Sequence, residues 1–180
     1  ERALALKPGH SRALEAIGLA RAELAAYAAR TGDDPVPHAE VAIARYDAAV
    51  AVDPRPARIL DERGLMYALL ARQALLTGAD PAAPAIRARA DYEEAMRLDS
   101  GYAPALHHRG FLALTGAAAG DGGARLGLEQ AAADFAEALR LAPRLFPARI
   151  GRALACRALA DAIEAVAFAG HKQPIREAVR

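Results

Sequence analysis

One short motif returns at a fixed interval, and that interval limits what this chain can fold into. The strings ALALKP (3–8), AVAVDP (49–54), AMRLDS (95–100) and ALRLAP (138–143) align. Their last residues, Pro8, Pro54, Ser100 and Pro143, are separated by 46, 46 and 43 residues. Two more features keep the same register. An aromatic stands eight residues before each of the last three marks: Tyr46, Tyr92 and Phe135. A very small residue stands ten residues after each mark: Gly18, Gly64, Gly110 and Ala153. A period of this size is the signature of a stacked repeat array.

Composition decides what each repeat is made of. The 180 residues include 50 Ala, against seven Ile, six Val and three Thr. Ala is the best helix former and β-branched residues are the best strand formers, so the repeats are helical. After Pro54, Ile59, Leu60, Leu65, Met66, Leu69, Leu70 and Ala74 recur with a period near 3.6. The run 77–84 (TGADPAAP) is dense in turn residues, and a second helix is expected from about Ile86 to Leu98. The runs 31–37 (TGDDPVP) and 115–123 (TGAAAGDGG) break the neighbouring repeats in the same way. In the last repeat a long first helix is expected over about Pro147 to Ala169, broken at 170–174 (GHKQP), with a second helix starting just before the end. The closing Pro or Ser stops each second helix. A mid-helix Gly costs about 1 kcal/mol relative to Ala, so its return at one phase predicts a close helix crossing that the later aromatic fills.

These positions resemble the tetratricopeptide repeat, a helix-turn-helix unit of 34 residues. Gly18, Tyr46, Ala49 and Pro54 fit its phases, as do Gly64, Tyr92, Ala95 and Ser100, and Gly110, Phe135, Ala138 and Pro143. The fourth unit has Ala153 in place of Gly. The resemblance implies an all-α, right-handed α-solenoid with long first helices and extended turns. It forms one array: the end of a truncated repeat (1–8), repeats at 9–54, 55–100 and 101–143, and a truncated fourth at 144–180. The units exceed the family's length by 12, 12 and 9 residues, at the end of the first helix and in the turn. Arrays that follow some bacterial serine/threonine kinase domains are similarly long and carry the Arg-Gly pair seen at Arg63-Gly64 and Arg109-Gly110. An ordinary helical bundle is the alternative fold.

The first helices of this family line a concave face. Carrying its phases over gives a candidate partner-binding groove of four rungs: Arg12, Glu15 and Leu19; Arg58, Asp61 and Leu65; His107 and Phe111; Ile150, Leu154 and Arg157. The family's clamp for a C-terminal carboxylate uses Lys and Asn on these rungs. Here Glu15, Leu19, Asp61 and Leu65 stand there and the chain has no Asn, so a chaperone-tail clamp is not expected. The groove is acidic at its start and more apolar and basic toward its end. A partner with a basic part and an apolar anchor suits it, with Leu65 and Phe111 as anchors.

Chemistry is otherwise sparse. There is no phosphate-binding loop ending in Lys-Ser or Lys-Thr, no Gly-x-Ser-x-Gly and no His-Glu-x-x-His. The only serines, Ser11 and Ser100, fall at helix boundaries. Adjacent helical positions point about 100° apart, so His107 and His108 do not chelate one ion. The loop acids Asp33, Asp34, Asp80 and Asp121 lack a calcium spacing. Catalytic, cofactor and metal sites are therefore not expected, and a lone Cys156 in an Ala-rich run reads as a buried, inert thiol. Net charge is +1 and no stretch suits a membrane span, so neither nucleic acid nor membrane is an expected partner. Both ends look like interrupted helices, as in a piece of a longer protein, and open ends favour end-to-end association. The 21 Arg against two Lys fit a GC-rich genome, and a bacterial, cytoplasmic protein is the default expectation. The expected function is a non-catalytic scaffold that binds a peptide or protein. A structural spacer or self-assembly arm of a larger signalling protein, linked to a kinase in one version, is the alternative.

Overall fold

The computed structural model describes residues 10–53, 56–118 and 124–177. Seven helices run through them: α1 (Ser11–Thr31), α2 (Val36–Val50), α3 (Ala57–Thr77), α4 (Ala82–Leu98), α5 (Ala103–Ala118), α6 (Ala124–Leu141) and α7 (Phe146–Glu177). No strand occurs among the described residues. The helices pair as antiparallel hairpins, α1 with α2, α3 with α4 and α5 with α6, and each pair packs on the next. The chain is an all-α helical repeat solenoid.

The glycine phase has the cause its recurrence predicts. A Cβ on Gly18 would sit 2.7 Å from Tyr46 Cε1, one on Gly64 2.6 Å from Tyr92 Cε1, and one on Gly110 3.0 Å from Phe135 Cε1. All three aromatics are fully buried, as are Ala49, Ala95 and Ala138 one turn further along. Each aromatic centres its own apolar cluster. Leu14, Ile43, Ile59 and Met66 gather around Tyr46, Leu60 and Ala88 around Tyr92, and Leu106 and Ala148 around Phe135. The core is therefore three small bodies in series, as nearest-neighbour stacking requires.

Charge ties the same crossings together. Arg63 donates from Nε (2.9 Å) and Nη2 (2.6 Å) to Asp91, and from Nη1 to Asp47 (2.6 Å). Arg109 grips Asp134 through Nε (2.9 Å) and Nη2 (2.7 Å). Each Arg precedes the glycine of a first helix, and each bidentate Asp precedes the aromatic of the second. In the first pair the two positions are Ile17 and Arg45, and no such bridge forms.

The turns depart from the sequence reading in detail. α4 begins at Ala82, four residues before the expected Ile86, because Pro84 falls in the first turn, where the missing N–H removes nothing. Gly32 (φ +87°) and Gly78 (φ +73°) close α1 and α3 in the left-handed region. Asp34 and Asp80 then accept from Val36 N (3.0 Å) and Ala82 N (2.8 Å), so these acids start helices as well as meeting solvent. Asp121 and part of the 115–123 turn lie outside the described residues.

The last helix corrects three expectations. The break at 170–174 is absent, and α7 is helical from Phe146 through Glu177. A helical Pro costs about 3 kcal/mol and gives up one backbone hydrogen bond, yet the helix continues through Pro174. Cys156 is exposed, because α7 buries Ala148, Gly151 and Ala155 against α6 and turns position 156 outward. Ala153 is also exposed. The close approach is made two residues earlier by Gly151, where a Cβ would overlap the same Phe135 ring that Gly110 meets.

Two glycine substitutions should shift stability in opposite directions. Gly64→Ala should destabilise by about 1–3 kcal/mol, because its methyl meets a closed ring. Gly116 is helical with nothing within 4 Å of its missing Cβ. Gly116→Ala should therefore stabilise by up to about 1 kcal/mol through helix propensity. Urea unfolding measures both. In a double-mutant cycle, Arg109→Leu with Asp134→Leu should cost clearly less than the sum of the single changes, each of which strands a charge for about 2 kcal/mol or more.

Candidate functional site

The inner face of the array is made by the first helices. α1 touches α3, α3 touches α5 and α5 touches α7, whereas α2 does not touch α4, nor α4 α6. Layers in contact lie on the inside of a curve. The candidate groove residues all belong to this inner layer, yet the structure gives them different work.

The middle rungs are partly consumed by the stack. Asp61 is only 2% exposed. It accepts from the Tyr102 hydroxyl (3.2 Å), and its Oδ1 lies 2.8 Å from His108 Nδ1. It is a clasp between α3 and the next pair, not an open groove carboxylate. His107 is 8% exposed and stands edge-on to Phe111, centroids 5.0 Å apart at 77°. Burial, then the neighbouring His108, pushes its pKa down to about 4, against a smaller opposing pull from Asp61, so the ring is neutral at pH 7. Phe111 is half-buried and meets Phe135 edge-on at 5.4 Å, and Leu65 is half-buried against the Tyr46 cluster.

The outer rungs are open. Leu19 is 42% exposed, Leu154 47% and Ile150 62%. Arg12, Arg58 and Arg157 are exposed too, and Arg58 forms an ion pair with Glu15 that bridges α1 and α3. One phase thus carries four apolar side chains, Leu19, Leu65, Phe111 and Leu154, exposed at both ends of the series and half-buried in the middle.

Sequence reading passed over Glu62. Eight residues after each mark the inner layer places Glu62, His108 and Gly151, each beside the aromatic of the preceding pair: Tyr46, Tyr92 and Phe135. The phase was visible in the sequence, but Glu, His and Gly share no chemistry, so nothing marked it. Glu62 is half-buried, and no cation pairs with it among the described residues. Burial and the charge of Asp61 raise its pKa, against smaller pulls from His108 and Arg58.

A different recess lies at the turn end, between the second and third pairs. It is a cleft of about 780 Å³ lined by Leu75, Leu112 and Leu126 with Arg72, Arg89 and Gln130. Among the described residues no group of three His, Cys, Asp or Glu is placed to hold a metal ion, and no helix is long and apolar enough to cross a membrane.

His107 makes a pH prediction. Above its ordinary pKa of 6.5 the ring is neutral whether the chain is folded or unfolded. As pH falls toward 4, the unfolded chain takes up a proton that the folded chain refuses, so stability is lost across that window. The loss should be about 1–3 kcal/mol. His107→Leu should lose less stability than wild type on the same descent, read by urea unfolding at each pH.

No protein-family model matches the chain, and no curated protein matches it. Solved structures do. The Arabidopsis OM64 TPR domain is 20% identical, with 82% of this chain and 94% of that one covered, at a TM-score of 0.58. The first TPR domain of human RPAP3 is 22% identical over 81% of this chain and 94% of that one, at 0.56. The first TPR of Spaghetti (RPAP3), bound to the HSP90 peptide SRMEEVD, is 22% identical over 81% and 95%, at 0.54. The chain therefore has the fold of a tetratricopeptide-repeat domain.

Proposed function

We propose that this chain is a non-catalytic protein–protein interaction scaffold that takes a peptide or partner helix along its inner face. One observation carries the reading: the row Leu19, Leu65, Phe111 and Leu154, aligned across four first helices and left open at Leu19 and Leu154. Apolar side chains at a regular step on a rigid surface are what an extended or helical ligand reads. The array acts as one unit, with repeats at 9–54, 55–100 and 101–143. A peptide held by one of the similar domains, that of Spaghetti, supports the same use of the fold here.

The anchors differ from those the sequence favours. Leu65 and Phe111 already pack against the core, so replacing them tests folding as much as binding. Leu19 and Leu154 are the exposed ends of the row and the better probes. The turn-end cleft is a second contact edge in this proposal.

A second reading, self-assembly as a structural arm, is favoured by Phe146, Ile150 and Leu154, which recur every four residues and are all exposed along α7. Exposed apolar stripes of that kind mark contact surfaces.

The test is capture of partners from lysate by wild type and by Leu19→Arg with Leu154→Arg, both checked for equal helicity and melting. A partner lost by at least about tenfold in the double variant is the expected result, since a desolvated apolar anchor is worth about 1.4 kcal/mol or more. Equal capture by both would end the groove reading. Mass that grows with concentration in light scattering, abolished by Ile150→Arg, would favour self-assembly.

A further inference from the structure

One phase of the array breaks its own pattern. Three residues before each buried ring, the second helices carry Ile43, Arg89 and Ala132. Twelve residues after each mark, the first helices that follow carry Met66, Leu112 and Ala155. Ile43 and Met66 belong to the cluster around Tyr46, and Ala132 and Ala155 to the cluster around Phe135. At the middle interface the pair is Arg89 and Leu112. Arg89 is exposed and Leu112 is only half-buried. A cation at a phase that elsewhere packs leaves the turn-end cleft unfilled.

That cleft, of about 780 Å³, lies between the ends of α3 and α5 and the starts of α4 and α6. None of the groove residues lines it. Leu75, Leu112 and Leu126 give it an apolar wall, and Leu75 and Leu126 are 40% and 73% exposed. Among the described residues the charges on the wall are Arg72, Arg89 and Asp80. Asp80 accepts from Ala82 N (2.8 Å) at the start of α4. Arg72 and Arg89 are exposed, and no acid among the described residues pairs with either. Glu93, one turn past Arg89, lies off this wall and faces Arg109 at 3.7 Å. The other polar side chains are engaged: the Thr115 hydroxyl donates to Phe111 O and Leu112 O, and Gln130 Nε2 donates to Asp134.

The wall therefore combines a bare apolar surface with two unanswered guanidiniums. Each guanidinium offers a planar fork of N–H donors that matches a carboxylate. With Asp80 counted, the wall has one positive charge in excess, which a single carboxylate balances and a phosphate monoester overshoots. The volume falls within the roughly 300–1,000 Å³ typical of small-molecule sites. We propose that the cleft binds a small amphiphilic carboxylate. Its apolar body lies on Leu75, Leu112 and Leu126, and its head is held by Arg72 and Arg89. This site is separate from the groove and does not depend on the groove reading. Position 89 makes it, because Ile43 fills the corresponding place one repeat earlier.

The test is calorimetric titration of the whole chain with hexanoate, nonanoate and dodecanoate below their micellar concentrations. Dodecanol and dodecyltrimethylammonium serve as neutral and cationic controls. Wild type is expected to bind at least one of the acids saturably at a single site, more weakly in high salt, and to prefer it to both controls. Arg72→Gln and Arg89→Ile, each confirmed as folded by circular dichroism, should each weaken that binding about fivefold or more. Leu154→Arg, on the inner face, should leave it unchanged. No saturable binding of any of the acids, equal binding of dodecanol, or unchanged affinity in both arginine variants overturns the proposal. Loss of binding in Leu154→Arg overturns it too, by placing the ligand on the inner face. Binding of the blocked peptide acetyl-Leu-Leu-Asp-amide without binding of the acids would give the cleft to a protein partner and likewise overturn it.

Discussion

An aromatic ring pressed against a helical glycine holds this structure together. Tyr46 on Gly18, Tyr92 on Gly64 and Phe135 on Gly110 set how closely each second helix approaches its first, and so where every other residue of the pair must lie. The third ring meets two glycines, Gly110 and Gly151 of the following helix. Because each contact involves only a pair and its neighbour, the array has no central core. Its cohesion is the sum of local crossings and the interfaces between them. Arg63 with Asp91 and Arg109 with Asp134 lie beside these crossings, one residue from glycine and ring, and fix the same helices in register.

In the proposed groove reading the inner face serves both stacking and recognition, and the middle of it is given to stacking. Asp61 and His107 stand at groove phases, yet Asp61 bonds forward to Tyr102 and His108, and His107 is buried among aromatic rings. What stays open is at the margins: apolar side chains at Leu19, Ile150 and Leu154, and a carboxylate at Glu62 that no cation among the described residues pairs with. A phase in a repeat does not fix a role. The residue at that phase takes its role from whether a neighbouring pair covers it.

α7 shows the same rule from the other side. Where α1, α3 and α5 bury Leu14, Leu60 and Leu106, α7 carries Arg149, which donates to Pro143 O at 2.6 Å and stacks on Phe146 at 5.3 Å. Where the earlier first helices have Gly18, Gly64 and Gly110, it exposes Ala153. One face of α7 packs on α6, and the face that in the other pairs receives a second helix meets solvent at the described residues. Cys156 is exposed for that reason, although its Ala-rich surroundings in sequence read as core.

The sequence by itself determined the repeat, the helical class and the partners in each crossing. A glycine that costs stability in isolation is informative when it returns with an aromatic at constant spacing, since only packing explains it. The turn residues also announced where helices stop, within a few residues, except at 170–174, where helix continues. The tertiary structure alone decided which phases of the inner face are open, which acids are clasped, and that Glu62 comes near Tyr46. Those outcomes depend on contacts between residues 16 to 47 positions apart, such as Arg63 with Asp47 and Asp61 with His108. Periodicity describes how one helix is built and cannot say what the next one brings against it.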